Sequence, residues 1–453
     1  MHHLFGNMVK LENIAKKPEF VLIGIVCLFL LVGASPISAD TRIVDFQTAL
    51  TLADSVNPEI RSGLSRIRES QERKKQVSSN LLPQLSASAS YARLGDVPPG
   101  KKYLLGNSND DFYADITAKQ LVFSGGKYRY QISASDTLTR AEEQKLSQTR
   151  RNIRLAVARA YFEAVRTKFA IGIQSDLIQR MQAQLNIAEL LFDGGKISSL
   201  DVVRLRTQVL AAQGQLSALG SQVKTRQYQL AQTIGVSDTV TVADSALPGN
   251  LKNVPIDFAG LEKELGQSPE MQAAQAAYQK ALLDKKVAEA DYLPTASINA
   301  GYNFEGGSTQ GNLITDHPNW IAGASVSVPI YRGGGIRAQA AQAQERILQA
   351  GNVVMQTNVS LIARLRSAIE SINDKKEKIG IAKLTLESAD ETVRTAELRY
   401  GTGKLSAFEL IDAQSVYARS QQDFFNARVD YCIALEELAV ICPSVLNTKE
   451  TGE

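Results

Sequence analysis

The residues that could host chemistry are few in this chain of 453 residues. It has three histidines and three cysteines. His2 and His3 stand at the very start, which leaves His317 alone in the body of the sequence. A histidine-based metal cluster needs several such ligands, and a Ser-His-Asp triad would have to be built on this one imidazole. His317 precedes Pro318 in a stretch rich in Gly, Asn, Asp and Pro, so a surface residue is the expected reading. Cys27 lies in an apolar run near the N-terminus, and Cys432 and Cys442 remain. Two cysteines make neither a disulfide framework nor a four-ligand zinc site. On one continuous helix they stand about 15 Å apart, and they pair only if the helix ends between them. The plainer reading is two small residues on a helix. The segment Gly401-Thr-Gly-Lys-Leu-Ser406 looks like a phosphate loop, but Leu398 stands where its first glycine belongs and Leu405 follows Lys404. It also lies between two helical stretches rather than after a strand. No enzyme, cofactor or metal site is expected.

The elements that remain are those of a scaffold. A net charge of +3 without a basic block argues against a nucleic-acid partner. An aromatic content of 6% with abundant Ala, Gln, Leu, Arg and Ser suits long helices better than a compact enzyme. Lys10, Lys16 and Lys17 precede the apolar run Phe20 to Gly33, and the small residues Ala34 to Ala39 follow it. This pattern predicts a cleaved export leader over residues 1–39. An uncleaved anchor is the alternative, but the run is short of the roughly 20 residues a spanning helix needs. No cysteine stands directly after the predicted cleavage site to carry a lipid, since Asp40 follows Ala39. No other segment is long and apolar enough to span. The exported chain is then expected in the periplasm, outside the cell, or in an outer membrane as a β-barrel.

The sequence repeats once. Asn57-Pro58-Glu59-Ile60 is echoed by Ser268-Pro269-Glu270-Met271, and Leu82-Pro83 by Leu293-Pro294, both 211 residues on. Phe123-Ser124-Gly125-Gly126 is echoed by Tyr331-Arg332-Gly333-Gly334, 208 residues on. Phe192-Asp193-Gly194-Gly195-Lys196 is echoed by Tyr400-Gly401-Thr402-Gly403-Lys404 at the same spacing. Two repeats are expected, 40–250 and 251–446, joined by a link from Asp244 to Asp257, with 447–453 as a tail. Each has a first helix, at about 58–82 or 269–293, with proline in its first turn and proline behind it. Two strands follow, then a proline-free helix at about 127–192 or 336–400. A glycine turn leads to a last helix at about 198–235 or 405–441.

The strands, at about 84–94, 112–123, 295–304 and 320–330, alternate apolar and polar residues. Leu85, Ala87, Ala89 and Tyr91 share one face, and Gln84, Ser86, Ser88 and Ser90 the other. Phe112, Ala114, Ile116 and Ala118 repeat the pattern, as do Ile298, Ala300, Tyr302 and Phe304, and Trp320, Ala322, Ala324 and Val326. Period two over about ten residues fits a transmembrane β-strand with an interfacial aromatic girdle, or a hairpin packed on a core. Export and the aromatic ends favour the barrel strand. The segments 94–111 and 305–319 read as solvent loops.

A coiled-coil seam runs through Val202, Leu205, Val209, Ala212, Leu216, Leu219 and Val223. It recurs at Leu410, Ala413, Tyr417, Ser420, Phe424, Ala427 and Tyr431. The long helix spans roughly 100 Å, and the two shorter helices of a repeat match it end to end. The strands then lie at one end and the glycine turn at the other. Four strands cannot close a barrel, and open edges are not tolerated in lipid, so a membrane-spanning sheet requires oligomers. Three copies give twelve strands; two or four copies are also geometrically allowed.

This ordered set resembles the TolC-type outer-membrane efflux protein family. Its carriers are the duplication, the joints Gln120-Leu-Val-Phe-Ser-Gly-Gly-Lys127 and Pro329-Ile-Tyr-Arg-Gly-Gly-Gly335, and the turns Gly195 to Val202 and Gly403 to Leu410. The resemblance implies a mainly α fold with a small β part. In it, tandem-duplicated coiled-coil hairpins form an α-barrel, and four strands per chain enter a 12-stranded barrel in a homotrimer. It implies an outer-membrane exit duct reaching into the periplasm, with a periplasmic adaptor protein and an inner-membrane RND-type or ABC-type transporter as partners. By residue match, Glu409 and Asp412 fall at the pore entrance, where a ring of acids attracts cations. Tyr400 and Asp201 fall at the gate. Gly194, Gly195, Lys196, Gly401, Gly403 and Lys404 fall where adaptor hairpins dock. The family's gate arginine falls at Leu405, which cannot form an ion pair; Lys404 or Lys196 is left as a substitute. The competing reading is an exported coiled-coil structural or adhesion protein without a pore.

Overall fold

The computed structural model describes residues 42–97, 99, 109–243, 257–309, 312–315 and 319–444. The expected leader, Cys27, His317 and the tail 447–453 lie outside the described residues. The first repeat contains β1 (Arg42–Val44), α1 (Phe46–Val56), α2 (Pro58–Ser79), β2 (Gln84–Arg93), β3 (Asp110–Phe123), α3 (Lys127–Asp193), α4 (Ser199–Ile234) and β4 (Val240–Val242). The second contains α5 (Phe258–Leu265), α6 (Pro269–Glu289), a 3-10 turn (Ala290–Tyr292), β5 (Thr295–Thr309), β6 (Asn312–Thr315), β7 (Asn319–Ser327), α7 (Gly335–Gly401) and α8 (Ala407–Ile441).

The helices start and stop for local reasons. Pro58 and Pro269 occupy the first turns of α2 and α6, where a missing N–H costs nothing. Asn57 Oδ1 accepts from the Glu59 N–H at 2.9 Å, and Ser268 Oγ from the Met271 N–H at 3.3 Å. α2 stops at Ser79 and α6 at Glu289, three or four residues before the positions read from the prolines, because one tighter turn intervenes in each repeat. α3 and α7 have 67 residues each, about 100 Å at the helical rise. The Asn57 amide donates to the Thr233 carbonyl at 3.0 Å. The end of α4 thus meets the start of α2, and the two continue one another as the length match required. The short elements α1, α5, β1 and β4 were not foreseen. They carry three to eleven residues, too few for a period to show.

The large sheet has the order β2-β3-β5-β7, all antiparallel, with β6 paired to the tip of β5. Two sequence expectations need correction. The segment 305–319 is not simply a loop: β5 runs on to Thr309 and pairs with β6 from Gly306↔Thr315 to Thr309↔Asn312. Glycines 306 and 307 read as turn signals, yet glycine also accepts extended backbone. Nor does the last strand reach residue 330. It ends at Ser327, shortly before Pro329, which has no N–H for a ladder.

The register gives the sheet two distinct faces. Tyr91↔Phe112, Ile116↔Tyr302 and Tyr302↔Trp320 lie on one, and Ser88↔Asp115, Asp115↔Asn303 and Ser297↔Ser325 on the other. The polar face is internally bonded: Ser88 Oγ and Thr117 Oγ1 both donate to the Asp115 carboxylate, and Ser297 and Ser325 share a hydrogen bond of 2.9 Å. β2 and β7 are exposed along their whole length within the chain. No helix among the described residues is long and apolar enough to cross a membrane.

Three apolar clusters hold the helices. One gathers α1, β1, β4, α3, the end of α4 and α8 around Tyr161, Leu230 and Val429. Another gathers α5, α6, α7 and α8 around Leu265, Leu365 and Leu438. The third lies under the glycine turns. The repeats are also tied by ion pairs from α3 to α8. Arg154 is bidentate on the buried Glu436, at 2.9 and 3.2 Å, and Arg166 pairs with Asp430.

Candidate functional site

The glycine turns are built alike. Gly195 (φ +68°) and Gly403 (φ +70°) take the left-handed backbone that ends a helix. The N–H of Lys196 then bonds the Leu191 carbonyl, and that of Lys404 the Arg399 carbonyl, both at 2.9 Å. Gly194 and Gly401 have no such requirement. All six turn residues matched to adaptor docking, Gly194, Gly195, Lys196, Gly401, Gly403 and Lys404, are exposed.

Each turn leads into a capped helix. Ser198 Oγ accepts from the Asp201 N–H at 3.3 Å and donates to Asp201 Oδ2 at 2.9 Å. Ser406 and Glu409 repeat this 208 residues later, and Glu409 also accepts from the Ser406 N–H at 3.0 Å, completing a capping box. Asp201 and Glu409 are therefore equivalent residues of the two repeats. Sequence reading missed this role, although Ser-x-x-Asp and Ser-x-x-Glu stand in plain view after both turns.

Below the caps all four long-hairpin helices meet. Leu185 of α3, Leu205 and Val209 of α4, Val393 and Tyr400 of α7, and Leu410 of α8 are buried together. The predicted seam is filled from Val202 to Ala212; Leu216, Leu219 and Val223 farther up are only half-buried. Tyr400 is 3% exposed, and its hydroxyl has no hydrogen-bond partner among the described residues. Burial, reinforced by the charge of Asp201, raises the phenol above its ordinary value. The structure thus brings the two residues matched to the gate into electrostatic reach, but the Asp201 carboxylate bonds Ser198 instead. Leu405 lies half-buried against the same cluster.

A polar clasp joins the hairpins just above. Arg180 of α3 bonds Glu397 of α7 at 3.2 Å and covers the Tyr417 ring of α8 at 5.5 Å. The buried Gln414 amide reaches the same Glu397 oxygen at 3.4 Å. No spacing in the sequence announces this clasp, because its members lie on three helices.

Glu409 and Asp412 are both exposed, one turn apart on α8, and line a groove with Leu405, Phe408, Glu391 and Arg399. The Ser406 N–H and hydroxyl hold the Glu409 carboxyl below its ordinary value, so it stays charged in mildly acidic solution. Cys432 and Cys442 are buried free thiols, as the plainer sequence reading had it.

Comparison with known proteins gives a consistent picture. The family model for the outer membrane efflux protein matches residues 49–236 and 260–442. The outer membrane protein TolC of Escherichia coli K12 is 22% identical over 389 residues, covering 83% of this chain and 78% of its own. The outer membrane efflux protein BepC of Brucella suis is 24% identical over 384 residues, covering 84% and 78%. Among solved structures, the CmeC outer membrane channel of Campylobacter jejuni superposes with a TM-score of 0.75 at 18% identity, covering 87% of this chain and 85% of that one.

Proposed function

Because the chain belongs to the outer membrane efflux protein family, we propose that it is the outer-membrane exit duct of a tripartite efflux pump or type I secretion system. The observation that carries this reading is the two-faced sheet with both edges open among the described residues, joined directly to helices about 100 Å long. An edge in lipid must be paired, and three copies close the sheet into twelve strands. Each chain contributes an even number of antiparallel strands, so β7 meets the next copy's β2 antiparallel and closure introduces no parallel pair. The apolar face meets lipid, and the Ser, Asn and Asp face lines water. Residues 1–39 serve as the export leader, and 40–250 and 251–446 are the two repeats.

The helical hairpins form the periplasmic tunnel, an α-barrel in the trimer. Its mouth lies at the glycine turns, where a periplasmic adaptor docks and an RND-type or ABC-type transporter in the inner membrane supplies the energy. The duct itself is passive. Glu409 and Asp412 from three copies place six carboxylates around the mouth and select cations. Tyr400 and Asp201 sit at the gate. With Leu405 in place of an arginine, closure rests on the apolar cluster and the Arg180–Glu397 clasp rather than on an ion pair at the turn.

Outer-membrane fractions test this reading. The chain is expected to migrate as a heat-modifiable oligomer and to conduct in planar bilayers; recovery as a soluble monomer would sink the proposal.

A further inference from the structure

Sheet and helices meet in a band of aromatic and basic side chains. Phe123 ends β3 opposite Ala296, on the apolar face, and is exposed. Tyr292 and Tyr331, in two further joints between sheet and helix, are exposed as well. Tyr302 and Trp320 lie farther up the apolar face. Aromatic residues thus mark both ends of the apolar band, as they do at the two interfaces of a membrane.

The helical turns next to this band carry cations that the chain does not neutralise. Arg129 and Arg337 are the third residues of α3 and α7, equivalent in the two repeats, and Lys286 lies in the last turn of α6. All three are exposed. The acids nearby are already matched: Asp291 by Lys127 at 2.6 Å, Glu289 by Lys285 at 3.6 Å, and Asp136 by Lys74 at 2.7 Å. Lys286 covers the Tyr130 ring at 5.5 Å. Among the described residues none of the three cations has a carboxylate partner. A cation in the first turn opposes the helix dipole, so Arg129 and Arg337 do not serve their own helices.

The three cations share one side of the helical layer. Arg129 is followed at sevens by Asp136 and Glu143, and Lys286 is preceded at sevens by Gln279 and Gln272. Two sevens beyond Arg337 stands Gly351. Glu143, Gln272, Gln279 and Gly351 line one groove across α3, α6 and α7, so the rows that end in the three cations face the same way. Seven residues beyond Glu143, Arg150 pairs with Asp54 of α1. There α1 packs with β1 and β4. Such elements leave the bore of a tube clear only if they lie outside it, which makes this the outer side.

We infer that Arg129, Lys286 and Arg337 form a belt that binds the headgroup phosphates of anionic phospholipid, of the phosphatidylglycerol class, in the periplasmic leaflet of the outer membrane. This rests on the channel reading and names a lipid partner for its outer surface. The belt lies one helical turn beyond the aromatic end of the apolar face, where headgroups rather than acyl chains stand. A zwitterionic headgroup brings its own cation and gains less from the belt. Each basic side chain near an anionic surface changes lipid association roughly five-fold, and the attraction fades beyond about 8 Å at physiological salt.

Spin-labelled lipids test the belt on the reconstituted oligomer. Phosphatidylglycerol is expected to associate with the protein several-fold more strongly than phosphatidylcholine at low ionic strength. The ratio should fall towards unity at about 1 M salt, where the screening length is about 3 Å. Arg129→Gln with Lys286→Gln and Arg337→Gln should abolish the preference, and Arg129→Lys with Lys286→Arg and Arg337→Lys should keep it. Lys119→Gln, on the polar face of the sheet, should leave the ratio unchanged. A preference that survives in the triple glutamine variant overturns the inference, as does one that high salt leaves intact. Displacement of the labelled lipid by millimolar inorganic phosphate also overturns it, by showing a site for free anions. The salt and phosphate arms use the wild-type chain and decide the matter even if the triple variant does not assemble. A wild-type oligomer that conducts but shows no preference overturns the belt and leaves the channel reading standing. A chain that forms no conducting oligomer overturns the channel reading and the belt with it.

Discussion

Ser406 and Glu409 hold each other at the start of α8: one carboxylate oxygen of Glu409 accepts from the Ser406 N–H at 3.0 Å and from its hydroxyl at 2.7 Å. The acid proposed for the pore mouth is therefore also a helix cap. Both bonds favour the charged form, so its folded pKa lies below the ordinary value of 4.5. A depressed carboxyl pKa contributes stability that is present above the unfolded value and lost as pH falls through the folded one. Cation selectivity, read from reversal potentials, is expected to stay level from pH 7 to about 5 and to decline only as Glu409 protonates below that. A decline already near pH 6 would mean that other groups set the selectivity.

Charge and cap can be separated by substitution. Glu409→Gln with Asp412→Asn removes six charges from a trimer while the amide still reaches the Ser406 N–H. Cation selectivity is expected to fall with little change in Tm. Glu409→Ala with Asp412→Ala is expected to lower selectivity as much and to lower Tm as well. Ser406→Ala alone should cost about 1 kcal/mol of stability. Unchanged reversal potentials in both double variants would count against the acidic ring.

Tyr400 buries a hydroxyl that bonds nothing. An orphaned buried hydroxyl costs roughly 1–3 kcal/mol of desolvation, so Tyr400→Phe is expected to leave Tm unchanged or raise it. It should also leave conductance unchanged, because the ring rather than the hydroxyl fills the cluster. Higher conductance in Tyr400→Phe would show that the hydroxyl reaches Asp201 in the closed channel.

Under the proposed gate, Leu405 takes the place of an arginine that would complete a lock with Asp201. Leu405→Arg is expected to reduce the open fraction in single-channel records, by adding an attraction that the apolar side chain cannot supply. Leu405→Ala serves as the packing control. A rise in conductance in the arginine variant alone would mean that burying the charge loosens the turn instead.

Much of this arrangement was legible because it obeys periods. Strands with strict alternation, such as Leu85 to Tyr91, declared both their faces. The glycines at 195 and 403 marked where the helices turn. What was hidden obeys no period. The Arg180–Glu397–Gln414 clasp joins three helices distant in sequence. Glu305-Gly-Gly-Ser-Thr309 has turn composition yet extends a strand, because pairing with β6 decides its conformation rather than local preference. The seam beyond Ala212 was read as continuous, but Leu216 and Leu219 are half-buried within a single chain. The Ser198 cap and the Ser406–Glu409 capping box were written in the sequence and needed only the question to be asked of Ser198 and Ser406.

The last prediction concerns the thiols of Cys432 on α8 and Cys442 at its C-cap. Burial pushes the Cys432 thiol up to about 11 and the Cys442 thiol up to about 12. Thiolate is the reactive form, so both side chains are suppressed by protonation as well as by access. Cys442 also donates weakly to the Leu261 carbonyl at 3.6 Å, fixing the end of α8 on α5. Native protein is expected to resist maleimide at neutral pH and to take up two labels in denaturant. Labelling of Cys442 alone in the native state would show the end of α8 parting from α5 before the helical core yields. Labelling of Cys432 as well would show that the core formed by Tyr161, Leu230 and Val429 opens in the assembled protein.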